Sequence, residues 1–191
     1  PEFVKTRGGA AKENLRGLDC RAGPYYLRFM NLLYESSSPA RFTRGLVILT
    51  VGVYLVQALL IRAGSDGLTY SLGLSVAGLM QGHFWTLASY MLLHGGPFHL
   101  LMNMLMLYFL GSEVERTLGS RHFLILYALS GVLGGLGWVL LKWPGEGVCV
   151  GASGAIFGLL AAFAALYPRR EVTLLVFFVF PVTLPAWALA S

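Results

Sequence analysis

Long apolar runs separated by short polar breaks dominate this chain. Apolar residues fill positions 45–61 between Arg44 and Arg62, then 98–110, 122–141, 150–167 and 172–190. A helix that crosses a bilayer needs about 17–25 mostly apolar residues, so the pattern predicts five spans. The second run reaches that length only with the apolar segment before it. The fifth contains Pro181 and Pro185 and is expected to be kinked, its freed carbonyls met by neighbours or water.

Two further segments do not read as spans. Residues 63–96 are apolar with few charges but broken by glycine, so they are expected to lie partly in the bilayer and to flank a site. Trp85 and Tyr90 in it suit the headgroup level. Residues 1–43 form a separate cytoplasmic region, distinct from the membrane region 44–191. Within it, residues 24–34 read equally as a short interfacial helix or a weakly ordered lead-in, and Ser36-Ser37-Ser38-Pro39 is a linker.

Composition agrees with a lipid solvent. The 191 residues are 56% hydrophobic and 12% charged, against about 25% charged in soluble domains. The 24 glycines suit helices whose backbones approach closely. A net charge of +5 raises nucleic acid as a partner, but the basic residues form no patch interleaved with aromatics. They sort by topology instead. With the N-terminus inside, Lys5, Arg7, Lys12, Arg16, Arg21, Arg28, Arg41, Arg44, Arg116, Arg121, Arg169 and Arg170 fall on the cytoplasmic side. Only Arg62 and Lys142 fall opposite, which satisfies the positive-inside rule. Cys20 and Cys149 lie on opposite sides of the bilayer in this topology and lack metal-site spacing. Packing is the reading for both.

The polar residues left inside apolar runs carry the chemistry. His99 and Asn103 are four apart and share a helix face; His94 precedes them in the turn His94-Gly95-Gly96-Pro97. Polar groups in a span usually face a bundle interior or a watery cavity. A hydrogen-bond network between helices would explain them structurally. Zinc on three histidines is the other option, but there is no HExxH and no nearby carboxylate, so neither a metal nor a cofactor is assigned. Ser153 sits in Gly151-Ala152-Ser153-Gly154, and Gly154 and Gly158 form a GxxxG pair that supports close helix contact. Gly131, Gly134, Gly135 and Gly137 on the third span offer the facing surface. Acyl transfer needs a nucleophile, a base and donors for an oxyanion. Ser153 supplies the first; His99, Asn103 and the Ser153 amide supply the last. No histidine is well placed as the base, since His83 lies in the outer segment and His122 starts the third span. Glu115 and Arg116, at the cytoplasmic end, read as a helix-end salt bridge rather than an acid site.

These residues resemble the rhomboid intramembrane serine protease family. The likeness covers most of residues 44–191 and rests on Trp85, on His94-Gly95-Gly96-Pro97-Phe98-His99-Leu100-Leu101-Met102-Asn103, on Gly111, Glu115 and Gly119 at four-residue spacing, and on Gly151-Ala152-Ser153-Gly154. It implies an all-α, polytopic membrane bundle of six helices, five of them present here, with a short fourth helix that starts below the membrane surface. It implies Ser153 as nucleophile, His99 and Asn103 as oxyanion donors, and His94 as organiser of the outer edge of the site. It also implies single-span membrane proteins as substrates, a Ser–His dyad, no cofactor, and by default a bacterial plasma membrane.

Three departures stand out. The family's usual Trp-Arg pair is Trp85-Thr86, and the aromatic one turn after the serine is Phe157 rather than tyrosine. The family's base histidine lies on a sixth helix, and this chain ends after its fifth apolar run. Truncation is the expectation, because the chain starts without methionine and stops where a loop would begin. The alternative is a non-catalytic relative that binds membrane clients. A transporter would call for an inverted repeat, which the sequence lacks.

Overall fold

The computed structural model describes residues 40–168, 171–176 and 180–185. Residues 24–34, Cys20 and nearly all of the N-terminal region 1–43 lie outside the described residues. The order of elements is α1 (Arg41–Arg62), α2 (Gly67–Leu72), α3 (Val76–Met80), α4 (Thr86–Ser89), a 3-10 turn (Tyr90–Leu92), α5 (Pro97–Met106), a π turn (Leu107–Gly111), α6 (Ser112–Lys142) and α7 (Ser153–Leu166). Two strands, β1 (Glu171–Val176) and β2 (Phe180–Pro185), follow.

The first four apolar runs are helices. Their surfaces show what solvent they are built for. Leu59 is 67% exposed, Leu140 78% and Leu141 88%, although such side chains fill the interior of soluble domains. The buried set is different. Leu107, Val114, Phe123, Ala155 and Leu159 form a core between α5, the π turn, α6 and α7. This is a helical bundle with an apolar outside as well as an apolar inside, as a membrane protein requires. Two helical stretches, Arg41–Arg62 and Pro97–Lys142, are long and apolar enough to cross a bilayer.

The second stretch is bent back on itself. At Gly119 the backbone has φ 79° and ψ 157°, a left-handed conformation that only glycine adopts without cost. The polar loop expected between the second and third spans is therefore a single-residue corner, and helix continues on both sides of it. Glu115 holds this corner to α1. Its side chain is fully buried and accepts from Thr43 N–H (2.8 Å), the Thr43 hydroxyl (2.7 Å), Phe42 N–H (3.2 Å) and the Ser120 hydroxyl (2.9 Å). The expected helix-end salt bridge forms, with Glu113 rather than Glu115 as its acid. Arg116 pairs with Glu113 at 3.1 Å on the surface. The reason is helical geometry: residues 113 and 116 share a face, while residue 115 points inward to the orphan N–H groups that open α1.

The fifth apolar run differs most from its sequence reading. Helix is expected over residues 172–190, whereas β1 and β2 pair antiparallel from Glu171 opposite Pro185 to Val176 opposite Phe180. Val172, Thr173 and Val176 favour extended backbone, and Pro181 and Pro185 each remove a helix donor. A two-stranded hairpin has open edges that hydrocarbon does not tolerate, so this form is not a spanning element.

Replacing Glu115 by leucine should strand several buried donors and lower stability by at least about 2 kcal/mol. Arg116→Ala removes only an exposed ion pair and should cost less than about 0.5 kcal/mol. Thermal unfolding in detergent compares the two, and equal losses would refute the assignment of Glu115 as the clasp.

Candidate active site

α7 begins at Ser153, so its first amide groups have no partner within the helix. Ahead of it the chain turns through Gly151, at φ 121°, a conformation that side chains other than glycine rarely adopt. A Cβ there would also stand 2.7 Å from Cε1 and 2.9 Å from Nε2 of His99. The His99 ring thus lies directly on the backbone that presents Ser153.

Close helix contact brings the two sides together, as the GxxxG spacing predicts. A Cβ on Gly134 of α6 would be 3.0 Å from the Gly154 Cα, and one on Gly158 would run into Ser130. Gly131 and Gly135 face the other way, onto Met91 and onto Leu74 and Tyr90, while Gly137 faces open space. Tyr90 is packed inside the bundle rather than exposed on its outer surface. It is 2% exposed, and its hydroxyl donates to the Gly131 carbonyl at 2.8 Å. That bond is available because a helix with glycine at its surface leaves its carbonyl within reach.

The outer segment grips the serine loop by backbone bonds. Leu74 and Cys149 exchange two, at 3.1 and 2.7 Å, and Gly151 N–H donates to the Tyr90 carbonyl at 3.0 Å. Cys149 is a free thiol in this loop. Trp85 is anchored by its indole N–H on the Ser71 carbonyl (2.9 Å), and the Thr86 hydroxyl donates to the His83 carbonyl (2.6 Å). The segment is held without the arginine that a Trp-Arg pair would supply.

On α5, Asn103 is 6% exposed and donates from Nδ2 to the His99 carbonyl at 2.9 Å. His94 is 2% exposed, with its ring edge-on to His99 at 5.1 Å. Burial, with His99 beside it, lowers the His94 pKa to about 4. His99, Asn103 and Ser153 line one cavity of about 240 Å³, completed by Met102, Met106, Ile156, Phe157 and Leu160. Its walls are apolar apart from these three polar groups, and Ser153 and Phe157 are exposed in it. Phe157 stands one turn beyond the serine. The other two of the chain's four histidines are elsewhere. His83 stacks on Trp85 at 4.7 Å, and His122 contacts the Leu118 carbonyl at 3.0 Å. Among the described residues, no three His, Cys, Asp or Glu side chains group as metal ligands.

Residues 81–191, more than half of the chain, match the family pattern described as the Rhomboid domain. The chain belongs to the rhomboid family. Its helices are thus those of a rhomboid membrane bundle. The chain is 35% identical to RHOMBOID-like protein 5 of Arabidopsis thaliana over 72% of its own length and 46% of that protein. It is 40% identical to the rhomboid protease GluP of Bacillus subtilis over 48% of its length and 18% of that protein. With the rhomboid protease GlpG of Yersinia pestis it shares 25% over 78% of its length and 52% of that protein. The chain spans about half or less of the length of such relatives.

Sequence alone points to Ser153, His99, Asn103 and His94, and the structure gathers all four at one end of the bundle. It adds Tyr90, which sequence reading places at the membrane surface, and Gln57, whose Oε1 accepts from His94 N–H at 3.1 Å. A buried amide inside the first apolar run is the signal that identifies Gln57.

Gly151→Ala in this rhomboid should cost about 1–3 kcal/mol in backbone strain and displace the His99 ring, lowering the thermal midpoint in detergent; an unchanged midpoint would contradict the geometry. His94 gives a pH dependence. Its folded pKa of about 4 lies below the ordinary histidine value of about 6.5. Its neutral form is therefore favoured by folding, and that contribution is complete above about pH 6.5 and lost as pH falls toward 4. The thermal midpoint should drop across that window and do so less steeply in His94→Asn. Parallel slopes in the two proteins would exclude His94 as a source.

Proposed function

We propose that this chain carries the nucleophile and oxyanion site of an intramembrane serine endopeptidase that cleaves single-span membrane proteins near the outer bilayer face. The observation that carries the reading is the shared cavity of Ser153, His99 and Asn103. The protease names of the Bacillus subtilis and Yersinia pestis relatives support it. In this reading the Ser153 hydroxyl attacks the scissile carbonyl, and its proton passes to a histidine that completes the dyad from outside these 191 residues. The carbonyl oxygen becomes an oxyanion held by the Ser153 amide and the side chains of His99 and Asn103. Asn103 keeps a second N–H for this, since Nδ2 has two hydrogens and one is given to the His99 carbonyl. Collapse releases the amine with the proton and leaves an acyl-serine, which water hydrolyses.

The low-polarity cavity strengthens these donors. Burying the reaction serves electrostatics, provided water reaches the serine. α7 favours such a site, because its 14 residues rise about 21 Å against a hydrocarbon core of about 30 Å. A helix of that length with one end at the membrane surface starts at depth. The distribution of lysine and arginine supports an N-terminus in the cytoplasm and Ser153 toward the opposite side, with a bacterial plasma membrane as the default. A second reading, a non-catalytic relative that binds membrane clients, is favoured by one observation: among the described residues, no histidine is hydrogen-bonded to the Ser153 hydroxyl.

Labelling with a fluorophosphonate separates the readings. In the full-length natural protein, Ser153 should react and Ser153→Ala should not, and cleavage of a single-span substrate should fall by at least about a thousandfold in the variant. Equal labelling of both, or an uncut substrate that copurifies equally with both, would favour the client-binding reading.

A further inference from the structure

The first span carries three buried polar side chains, Thr43, Thr50 and Gln57, spaced by seven residues. Seven residues are close to two helical turns, so all three lie on one face of α1. Thr43 is accounted for by Glu115. Gln57, two turns past Thr50, is 3% exposed, and a buried amide is costly unless it is hydrogen-bonded. Both of its ends are used. Oε1 accepts from His94 N–H at 3.1 Å, and Nε2 donates to the Thr69 hydroxyl at 3.3 Å.

The position of the first bond matters more than its existence. His94 stands immediately before Gly95-Gly96-Pro97, the turn that starts α5. Among the described residues, the only hydrogen-bond contact of the His94 ring is a marginal one to the backbone of Leu92, two residues back, so no side-chain bond to another element fixes the ring. Its place depends on its backbone and on the His99 ring against it. The His99 ring in turn lies on Gly151. A chain of contacts thus runs from Gln57 through the His94 backbone and ring to His99, and from there to the loop that presents Ser153. Gln57 itself does not line the cavity.

We propose that Gln57 is a positioning residue for the oxyanion site: it fixes the His94 backbone, and through the His94–His99 ring pair it sets where the His99 side chain meets a developing negative charge. The inference rests on the hydrolytic reading of Ser153, His99 and Asn103. It assigns to the first span a role in the chemistry that packing alone would not give it.

The test uses the full-length natural protein in detergent. Wild type, Gln57→Leu and Gln57→Glu are compared for kcat, KM, the second-order rate of fluorophosphonate reaction at Ser153, and thermal midpoint. Gln57→Leu should lower kcat and the labelling rate by about 10- to 100-fold, as small misplacements of catalytic groups do, while KM changes by less than about threefold, as expected for an interaction expressed in the transition state. Gln57→Glu keeps an oxygen facing His94 N–H and should recover most of the rate. Measurements are made well below each midpoint, so loss of folded protein does not enter. The proposal is overturned if Gln57→Leu labels at the wild-type rate, if its loss appears in KM alone, or if Gln57→Glu is as slow as Gln57→Leu. Failure of the hydrolytic reading is distinguishable: the wild-type protein itself would neither label nor cleave, and the role assigned to Gln57 would fall with it.

Discussion

The arrangement of the site depends on how closely α6 and α7 approach. Gly134 and Gly154 meet backbone to backbone, so a side chain on either would push the seam apart by a few tenths of an ångström. In lipid there is no hydrophobic force to press helices together, and small residues earn their place by allowing dispersion contacts over a long, close seam. Each element of the site takes its position from this seam. It exposes the Gly131 carbonyl to the Tyr90 hydroxyl, and Tyr90 in turn receives Gly151 N–H on its own carbonyl. A wider seam would lose the side-chain bond and shift the serine loop relative to α5.

A second constraint acts at the same end of the bundle. Backbone groups near hydrocarbon must be satisfied within the protein, and the irregular stretches around the site have no helical ladder to do this. The Leu74–Cys149 pair and the Gly151–Tyr90 bond satisfy the serine loop, and Gln57 satisfies His94. These are the bonds that also fix geometry. Satisfying the backbone and positioning the side chains of the pocket are one requirement here, which explains why so apolar a segment as residues 63–96 is folded into short helices and turns rather than left as a loop.

Much of this was legible in the sequence where a local rule decides the outcome. Runs of apolar residues locate the first four helices, although the second continues past position 110 to the corner at Gly119 and the fourth is only 14 residues long. His99 and Asn103 share a face because four residues make about one helical turn, and they line the cavity with Ser153. The misreadings occur where a residue's partner is distant in sequence. Glu115 reads with Arg116 as helix-end salt bridging, yet it turns toward Thr43, 72 residues away, and Glu113 takes the arginine. Tyr90 has the amphipathic character of an interfacial residue, but a glycine 41 positions later offers it a buried acceptor. For residues 172–190, hydropathy and β-propensity pull in opposite directions, and the hydrophobic count could not reveal the pairing of β1 with β2.

In the hydrolytic reading proposed for it, the chemistry of the site is asymmetric. Its stabilising half would be in place before any substrate arrives. The α7 amide at Ser153 has no intrahelical partner, Asn103 is held by its bond to the His99 carbonyl, and His99 is wedged between His94 and Gly151. Groups fixed in this way need no reorganisation when charge develops, which is the main source of catalytic power in acyl transfer. In that reading the activating half is a single proton acceptor, and among the described residues no histidine is hydrogen-bonded to the Ser153 hydroxyl. A hydroxyl without a base is a weak nucleophile. Both proposed readings have such a site take a peptide carbonyl oxygen, whether or not the bond is cleaved. That makes the proteolytic and client-binding readings two outcomes of one pocket, separated only by where the serine proton can go.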